Sequence, residues 1–149
     1  MRKVLVATSG GGHWVQMRRL LPAFAGCDLV FAGVAERLDA DLAPAPYARL
    51  RNVSRSDPLG FLVVAWQLMR LVRRERPDVV VSTGAAPGLM ALVAGKLLAG
   101  SRTVWIDSIA NSERLSLSGR LARPVADAWL VQWPHLARPG GPEHWGAVL

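Results

Sequence analysis

Cysteine is almost missing from this chain: Cys27 is the only one in 149 residues. That excludes an intrachain disulfide and any metal centre built from several thiolates, and it suits a reducing compartment. Long apolar runs are missing as well. None approaches the ~20 residues needed to span a bilayer. The run behind Met1-Arg2-Lys3 breaks at glycines after about four residues, short of the ~7–15 of a signal-peptide core. Acidic side chains are scarce, 11 against 18 basic, and the net charge is +7. Only Lys3 and Lys96 are lysines; the other basic residues are arginines. No Lys/Arg run exceeds two, and no recognition-helix or RNA-binding signature occurs, so nucleic acid is not an expected partner. The basic balance suits anionic lipid or an acidic substrate, or reflects arginine usage and solubility alone.

What the chain does have is apolar residues. They make up 51% of it, against 19% charged, and mean hydropathy is +0.22. Such a chain folds, and contact with something apolar beyond its own core is plausible. Its length fits one domain.

Valine-rich runs alternate with helical stretches. Strands are predicted over Lys3–Thr8, Asp28–Ala32, Tyr47–Val53, Asp78–Ser82, Arg102–Asp107 and Ala128–Gln132. Helices are predicted over Trp14–Leu21, Pro58–Glu75 and Pro87–Leu98, the last closed by Gly100. A long polar connection is expected over Glu36–Pro46. This alternation predicts an α/β fold with a Rossmann-like, doubly wound parallel sheet over residues 1–133. Residues 134–149 form a tail, with Pro139-Gly140-Gly141-Pro142 reading as a linker.

Ligands on such sheets bind at the carboxyl ends of the strands. Three polar loops fall there. The first is Ser9-Gly10-Gly11-Gly12-His13, a glycine turn between strand and helix that favours contact with an anion. It lacks both the dinucleotide fingerprint, since position 15 is Val15, and a Walker lysine. His13 either caps the turn or supplies a nitrogen that exchanges protons with a hydroxyl or binds phosphate. No ligand-spaced partner makes it a metal site. The second loop, Ser82–Ala86, offers hydroxyls and N–H groups, or simple helix capping. The third runs from Asp107 to Gly119. Asp107 is a candidate base, and Arg114 and Arg120 suit a diphosphate. Its serines equally fit an ordinary capped loop.

The helix at Pro58–Glu75 is apolar nearly all round. Gln67, Arg70 and Arg74 form a basic stripe, which Arg73 and Arg76 extend. It either packs on the sheet or, with Phe61, Trp66, Arg70, Arg73 and Arg74, lies in a membrane interface.

These motifs, in this order, resemble the acceptor-side subunit of bipartite glycosyltransferases. That family includes bacterial PssD/EpsE/CpsF-type polysaccharide proteins and the eukaryotic subunit that helps add the second GlcNAc to dolichol-linked sugar. More distantly, the chain is similar to the N-terminal half of MurG-like transferases. The pattern S-S-G-G-H-x-x-Q is met by Ser9, Gly11, Gly12, His13 and Gln16, with Gly10 for the second serine. D-V-[IV]-[IV]-S-T-G-A is met from Asp78 to Ala85. S-L-[ST]-G-[KR] is met by Ser116-Leu117-Ser118-Gly119-Arg120, and V-Q-W by Val131-Gln132-Trp133. One motif departs: where the family has E-S-x-x-R, this chain has Asp107-Ser108-Ile109-Ala110-Asn111, and Arg114 stands three residues later.

The resemblance implies the N-terminal half of a GT-B fold, working without metal or other cofactor. A second subunit is expected to carry the nucleotide-sugar site, with transfer from a UDP-sugar to a lipid-linked diphosphate acceptor. His13 or Asp107 would activate the acceptor. Ser9 to Gly12, Gln16, Ser82 to Ala85, Ser108, Asn111, Arg114, Ser116, Ser118, Gly119 and Arg120 would bind it. The tail would grip the partner. The protein would sit on the cytoplasmic face of the cytoplasmic membrane, against anionic lipid. Two other readings stay open: a free-standing nucleotide- or sugar-phosphate-binding module, and a non-catalytic membrane scaffold.

Overall fold

A computed structural model describes residues 1–34, 42 and 45–148. Most of the connection expected over Glu36–Pro46 lies outside them. Six strands form one sheet: β1 (Lys3–Ala7), β2 (Asp28–Gly33), β3 (Tyr47–Arg49), β4 (Val79–Ser82), β5 (Arg102–Ile106) and β6 (Ala128–Leu130). Their order is β3-β2-β1-β4-β5-β6, and every pairing is parallel. This is the doubly wound arrangement, with its switch point between β1 and β4.

The strands read as continuous apolar runs because both faces of the sheet are covered. Alternate residues go to opposite sides. Leu5, Ala7, Val30, Val80 and Trp105 pack with one layer of helices. Val4, Val6, Phe31, Val81 and Ile106 pack around Met17 on the other. Met17 belongs to α1 (Gly12–Leu20), which runs into a 3-10 turn at Leu21–Phe24 carrying Pro22.

The first layer holds α2 (Pro58–Glu75), α3 (Ala85–Ala94) and α4 (Leu117–Leu121). Helix α2 begins where Asp57 Oδ1 accepts the Gly60 N–H at 2.8 Å, and Pro58 occupies its first turn, where no N–H is needed. It ends at Arg76 in the left-handed conformation, φ 44°. Its buried stripe is Gly60, Val64, Leu68, Leu71 and Val72, so it packs on the sheet. Its other side leaves Leu59, Leu62 and Trp66 exposed at 70%, 67% and 55%. The two readings of this helix are therefore compatible.

Helix α3 starts at Ala85, two residues before the expected Pro87. A proline in the first turn gives up only an N–H that has no helical partner. A π-helical turn, Gly95–Ala99, follows, and Gly100 (φ 63°) closes it as expected. Helix α4 was not expected. It is capped by Ser116, whose Oγ accepts the Gly119 N–H at 2.9 Å.

The tail is not a detached linker. Arg138 N donates to Pro142 O (3.0 Å) and Gly141 N to Arg138 O (2.9 Å), so Pro139–Pro142 is a tight turn. The chain then returns beside β6: Glu143 N donates to Trp129 O (2.8 Å) and Val131 N to Glu143 O (2.9 Å). The open edge of the sheet is thereby partly covered. Among the described residues no helix is long and apolar enough to cross a membrane.

Candidate functional site

The β1 and β4 loops meet at the switch point, through a two-way lock. His13 Nδ1 lies 2.9 Å from Thr83 O, and Thr83 Oγ1 donates to His13 O at 2.8 Å. A carbonyl oxygen only accepts, so Nδ1 carries the proton. Nε2 is then the nitrogen able to accept one. The imidazole lies against Gly84, whose φ is 139°. A Cβ there would come within 2.5 Å of His13 Cε1. The family-like Thr-Gly pair after β4 is thus the seat of the histidine.

Asp107 sits below, 1% exposed. Its Oδ1 accepts from Trp105 Nε1 (3.1 Å) and Ser116 Oγ (2.7 Å). Its Oδ2 accepts from Asn111 Nδ2 (3.2 Å) and Ser116 N (3.2 Å). Four donors fill the roughly four acceptor positions of a carboxylate. Gly119 is required beside it, because a Cβ would lie 2.4 Å from Oδ1.

Further side chains clamp the loop from 108 to 112. Gln16, 3% exposed, donates Nε2 to Asp107 O (3.1 Å) and accepts the Ile109 N–H (3.1 Å). Trp133 Nε1 donates to Ile109 O at 2.8 Å, and His135 Nε2 lies 2.5 Å from Ser112 O. Gln132 Oε1 accepts the Val148 N–H at 2.8 Å. The V-Q-W residues therefore tie the tail and the loop to β6.

Above this frame lies a groove of about 630 Å³, within the usual range of small-molecule sites. Ser9, His13, Ser108, Asn111, Ser116 and Ser118 line it, with Ala85 beside them. Asn52 and Arg55 line it too, and Phe61, Leu89, Leu117 and Leu121 give it apolar surface. The groove offers hydrogen-bonding groups and apolar side chains together.

Of the expected site residues, the catalytic candidate His13 and the binding candidates Ser9, Ala85, Ser108, Asn111, Ser116 and Ser118 line the groove. Gln16, Ser82, Thr83, Gly84, Asp107 and Gly119 are buried and hold its floor. Ser82 Oγ accepts the Gly84 N–H (3.1 Å), and the Thr83 hydroxyl faces Thr8 and His13. Gly11 is the N-cap of α1 at φ 65°. Gly10, Gly11 and Gly12 form the turn beside the groove and do not line it. Arg114 and Arg120 are not in the groove either; they line a different cavity. Of the membrane-docking candidates, Phe61 is half-buried in the groove wall. Trp66 and Arg70 are exposed together, the guanidinium 5.5 Å from the ring centroid. Arg73 is exposed, and Arg74 pairs with Glu75 at 2.7 Å. The apolar wall was missed. Leu117 and Leu121 are four apart after a serine cap, which is the available signal for α4.

Comparison with known proteins fits this architecture. The family model described as "Oligosaccharide biosynthesis protein Alg14 like" matches residues 35–148. The chain belongs to the Alg14-like family. It is similar to the UDP-N-acetylglucosamine transferase subunit ALG14 of Eremothecium gossypii, 34% identical over 181 residues, covering 99% of this chain and 80% of the relative. It is also 28% identical over 153 residues to the pyrophosphoryl-undecaprenol N-acetylglucosamine transferase of Geobacillus thermodenitrificans, covering 90% of this chain and 41% of that one. The crystal structure of Acinetobacter baumannii MurG superposes with a TM-score of 0.78 at 15% identity, covering 99% of this chain and 45% of that chain. The Alg14-like chain thus has the Rossmann-like fold of MurG while spanning under half its length. Its ALG14 relatives are named as glycosyltransferase subunits.

Proposed function

We propose that this Alg14-like chain is the acceptor-binding and membrane-docking subunit of a two-chain glycosyltransferase. A second subunit carries the UDP-sugar, and transfer goes to a lipid-linked diphosphate acceptor. The observation that carries the reading is the groove itself. It brings His13, whose tautomer Thr83 O fixes, together with serine and asparagine side chains and with the apolar side chains of Phe61, Leu89, Leu117 and Leu121. The polar groups suit a sugar-bearing headgroup and the apolar ones the start of a hydrocarbon chain.

In this reading Nε2 of His13 takes the proton of the acceptor hydroxyl as its oxygen attacks the anomeric carbon of the sugar. The bond from that carbon to the departing UDP breaks, and UDP leaves with the electron pair. Ser9, Ser108, Asn111, Ser116 and Ser118 orient the headgroup. Asp107, enclosed by its four donors, is a positioning residue that fixes Ser116 and Asn111. The exposed apolar residues of α2, with Arg70 and Arg73, rest on the cytoplasmic face of an anionic membrane.

The test is transfer of labelled sugar to a lipid-linked acceptor. The isolated chain should be inactive, and mixing it with its partner subunit should give transfer. In that complex His13→Ala should lower kcat by roughly 10²–10⁴-fold, the usual share of general base catalysis, with little change in KM. Full activity of this chain alone would contradict the division of labour. An unchanged kcat would remove His13 from the chemistry.

A further inference from the structure

A second cavity, of about 460 Å³, lies on the other side of α4 and shares no lining residue with the groove. Helix α4 turns Leu117, Ser118 and Leu121 toward the groove and Arg120 toward this cavity. Arg114, Arg123 and Arg138 join Arg120 there, and Glu113 is the one carboxylate among the lining residues. All four arginines are exposed. Among the described residues none of the four guanidiniums has a hydrogen bond or ion pair. Elsewhere Arg51 pairs with Asp57, Arg74 with Glu75, and Lys96 with Asp127.

The walls of this cavity are fixed. Trp129 Nε1 donates to Gly119 O at 2.8 Å, which sets the indole in place. Leu136 is 8% exposed. The turn through Pro139, Gly140, Gly141 and Pro142 is stapled by its own two backbone bonds and joined to β6 through Glu143 N. Arginines come to the cavity from three separate segments: the loop before α4, α4 with the residues just after it, and the tail turn. Four like charges therefore line one cavity. Guanidinium forks match phosphoryl oxygens in pairs, and their repulsion is relieved when such an anion enters.

We propose that this cavity is a phosphoryl-anion site, separate from the groove, with room for a diphosphate group. The inference does not depend on the reading of the groove. Two sources share this chemistry, a soluble phosphate ester and a lipid headgroup.

The test uses the whole chain and inorganic diphosphate, titrated by calorimetry at low salt. Saturable binding is expected, weakened tenfold or more in Arg120→Ser/Arg123→Ser and by a comparable factor in Arg138→Ser. The indole N–H resonance of Trp129 should move on binding, and added salt should weaken it. Thermal melting should be unchanged, since these side chains are exposed and unpaired. His13→Ala should bind diphosphate as the wild type does. Vesicles containing phosphatidylglycerol separate the sources. A matching loss of vesicle binding in the double variant, with displacement by diphosphate, names a headgroup; unchanged vesicle binding names a soluble ester. Three results would overturn the site: no saturable binding, equal affinity in the arginine variants, or loss in His13→Ala instead. The last would put the anion in the groove and leave the proposed function standing.

Discussion

Asp107 turns its carboxylate toward the protein. Trp105, Asn111 and Ser116 direct four donors at it within 3.2 Å, so a base role would need one of them to leave. The shorter acid and Asn111 work together: Asn111 stands where the family pattern has arginine, and it reaches Oδ2 directly. Replacing Asp107 with Asn swaps one accepting oxygen for a donor. At Oδ1 that NH₂ would face the Trp105 N–H; at Oδ2 it would face the Asn111 amide and the Ser116 N–H. One buried donor loses its partner, at a cost of about 1–3 kcal/mol. Urea unfolding of Asp107→Asn should read that loss, and Ser116→Ala should lower stability in the same direction. An Asn variant as stable as the wild type would show that the four-donor cage contributes little.

The regular elements were legible wherever a local rule acts alone. Asp57-Pro58 announces α2, Gly100 stops the helix after α3, and the run at Asp78–Ser82 has the unbroken apolarity of a strand buried on both faces. Helix α4 was hidden because five residues carry little periodicity, and with it went the separation of Arg120 from the groove. The return of the tail to β6 was hidden for a different reason. The bonds of Glu143 to Trp129 and Val131 are backbone to backbone and leave no mark in the side chains, and Gln132, which accepts the Val148 N–H, does not name its partner in the sequence. The floor of the groove was legible only as a set of residues, not as roles: Gln16 and Thr83 have polar side chains, but their partners are backbone groups brought near by the sheet order.

Helix ends make two predictions at this scale. Arg76 holds a left-handed conformation at the end of α2, where a side chain is strained and glycine is not. Arg76→Gly should raise stability by about 0.5–1 kcal/mol in thermal or urea melts; a loss would mean that the side chain matters more than the backbone there. The end of α3 and the start of β5 are tied through Asp127. It accepts from Lys96, from Thr103 N (2.8 Å) and from Thr103 Oγ1 (3.1 Å). The hydrogen bond from Lys96 first, then those from Thr103, hold its carboxyl below the usual range, against the opposing effect of burial. Glu75 is lowered likewise, by the Arg74 hydrogen bond first and then by Lys3. A lowered folded pKa means that the unfolded chain binds the proton more readily. The stabilisation is therefore complete above the ordinary carboxylate range, near 4 and higher, and is lost as pH falls through the folded values. Melting temperature should drop between roughly pH 5 and the acid limit. Lys96→Met should flatten that drop; an equally steep profile in Lys96→Met would exclude the tie as its source.

Across the whole molecule, one layer of the sheet carries much of the exposed apolar surface, with Val15 and Trp145 exposed elsewhere. Leu59, Leu62 and Trp66 on α2, Leu97 after α3, and Leu117 and Leu121 on α4 are each more than half exposed. Helices α2 and α3 pack together, as do α3 and α4, so these residues belong to the same helical layer. The groove opens among those same helices, through Phe61, Leu89, Leu117 and Leu121. A lipid-linked acceptor is held in a bilayer, so a groove that receives it has to open toward that surface. On the proposed reading, the switch-point residues stand above the lipid, where a second subunit approaches the strand tips. This geometry makes membrane contact separable from folding. Leu62→Ser/Trp66→Ser removes two exposed side chains and leaves the buried stripe of Val64, Leu68, Leu71 and Val72 intact. The double variant should melt within a few degrees of the wild type and lose binding to anionic vesicles about tenfold or more, with Arg70 and Arg73 left in place. In the assembled transferase it should lose rate on vesicle-borne acceptor while keeping rate on a short-chain, water-soluble one. Equal loss on both acceptors would place these residues in the groove's own function. Undiminished vesicle binding would move the membrane contact off α2 altogether.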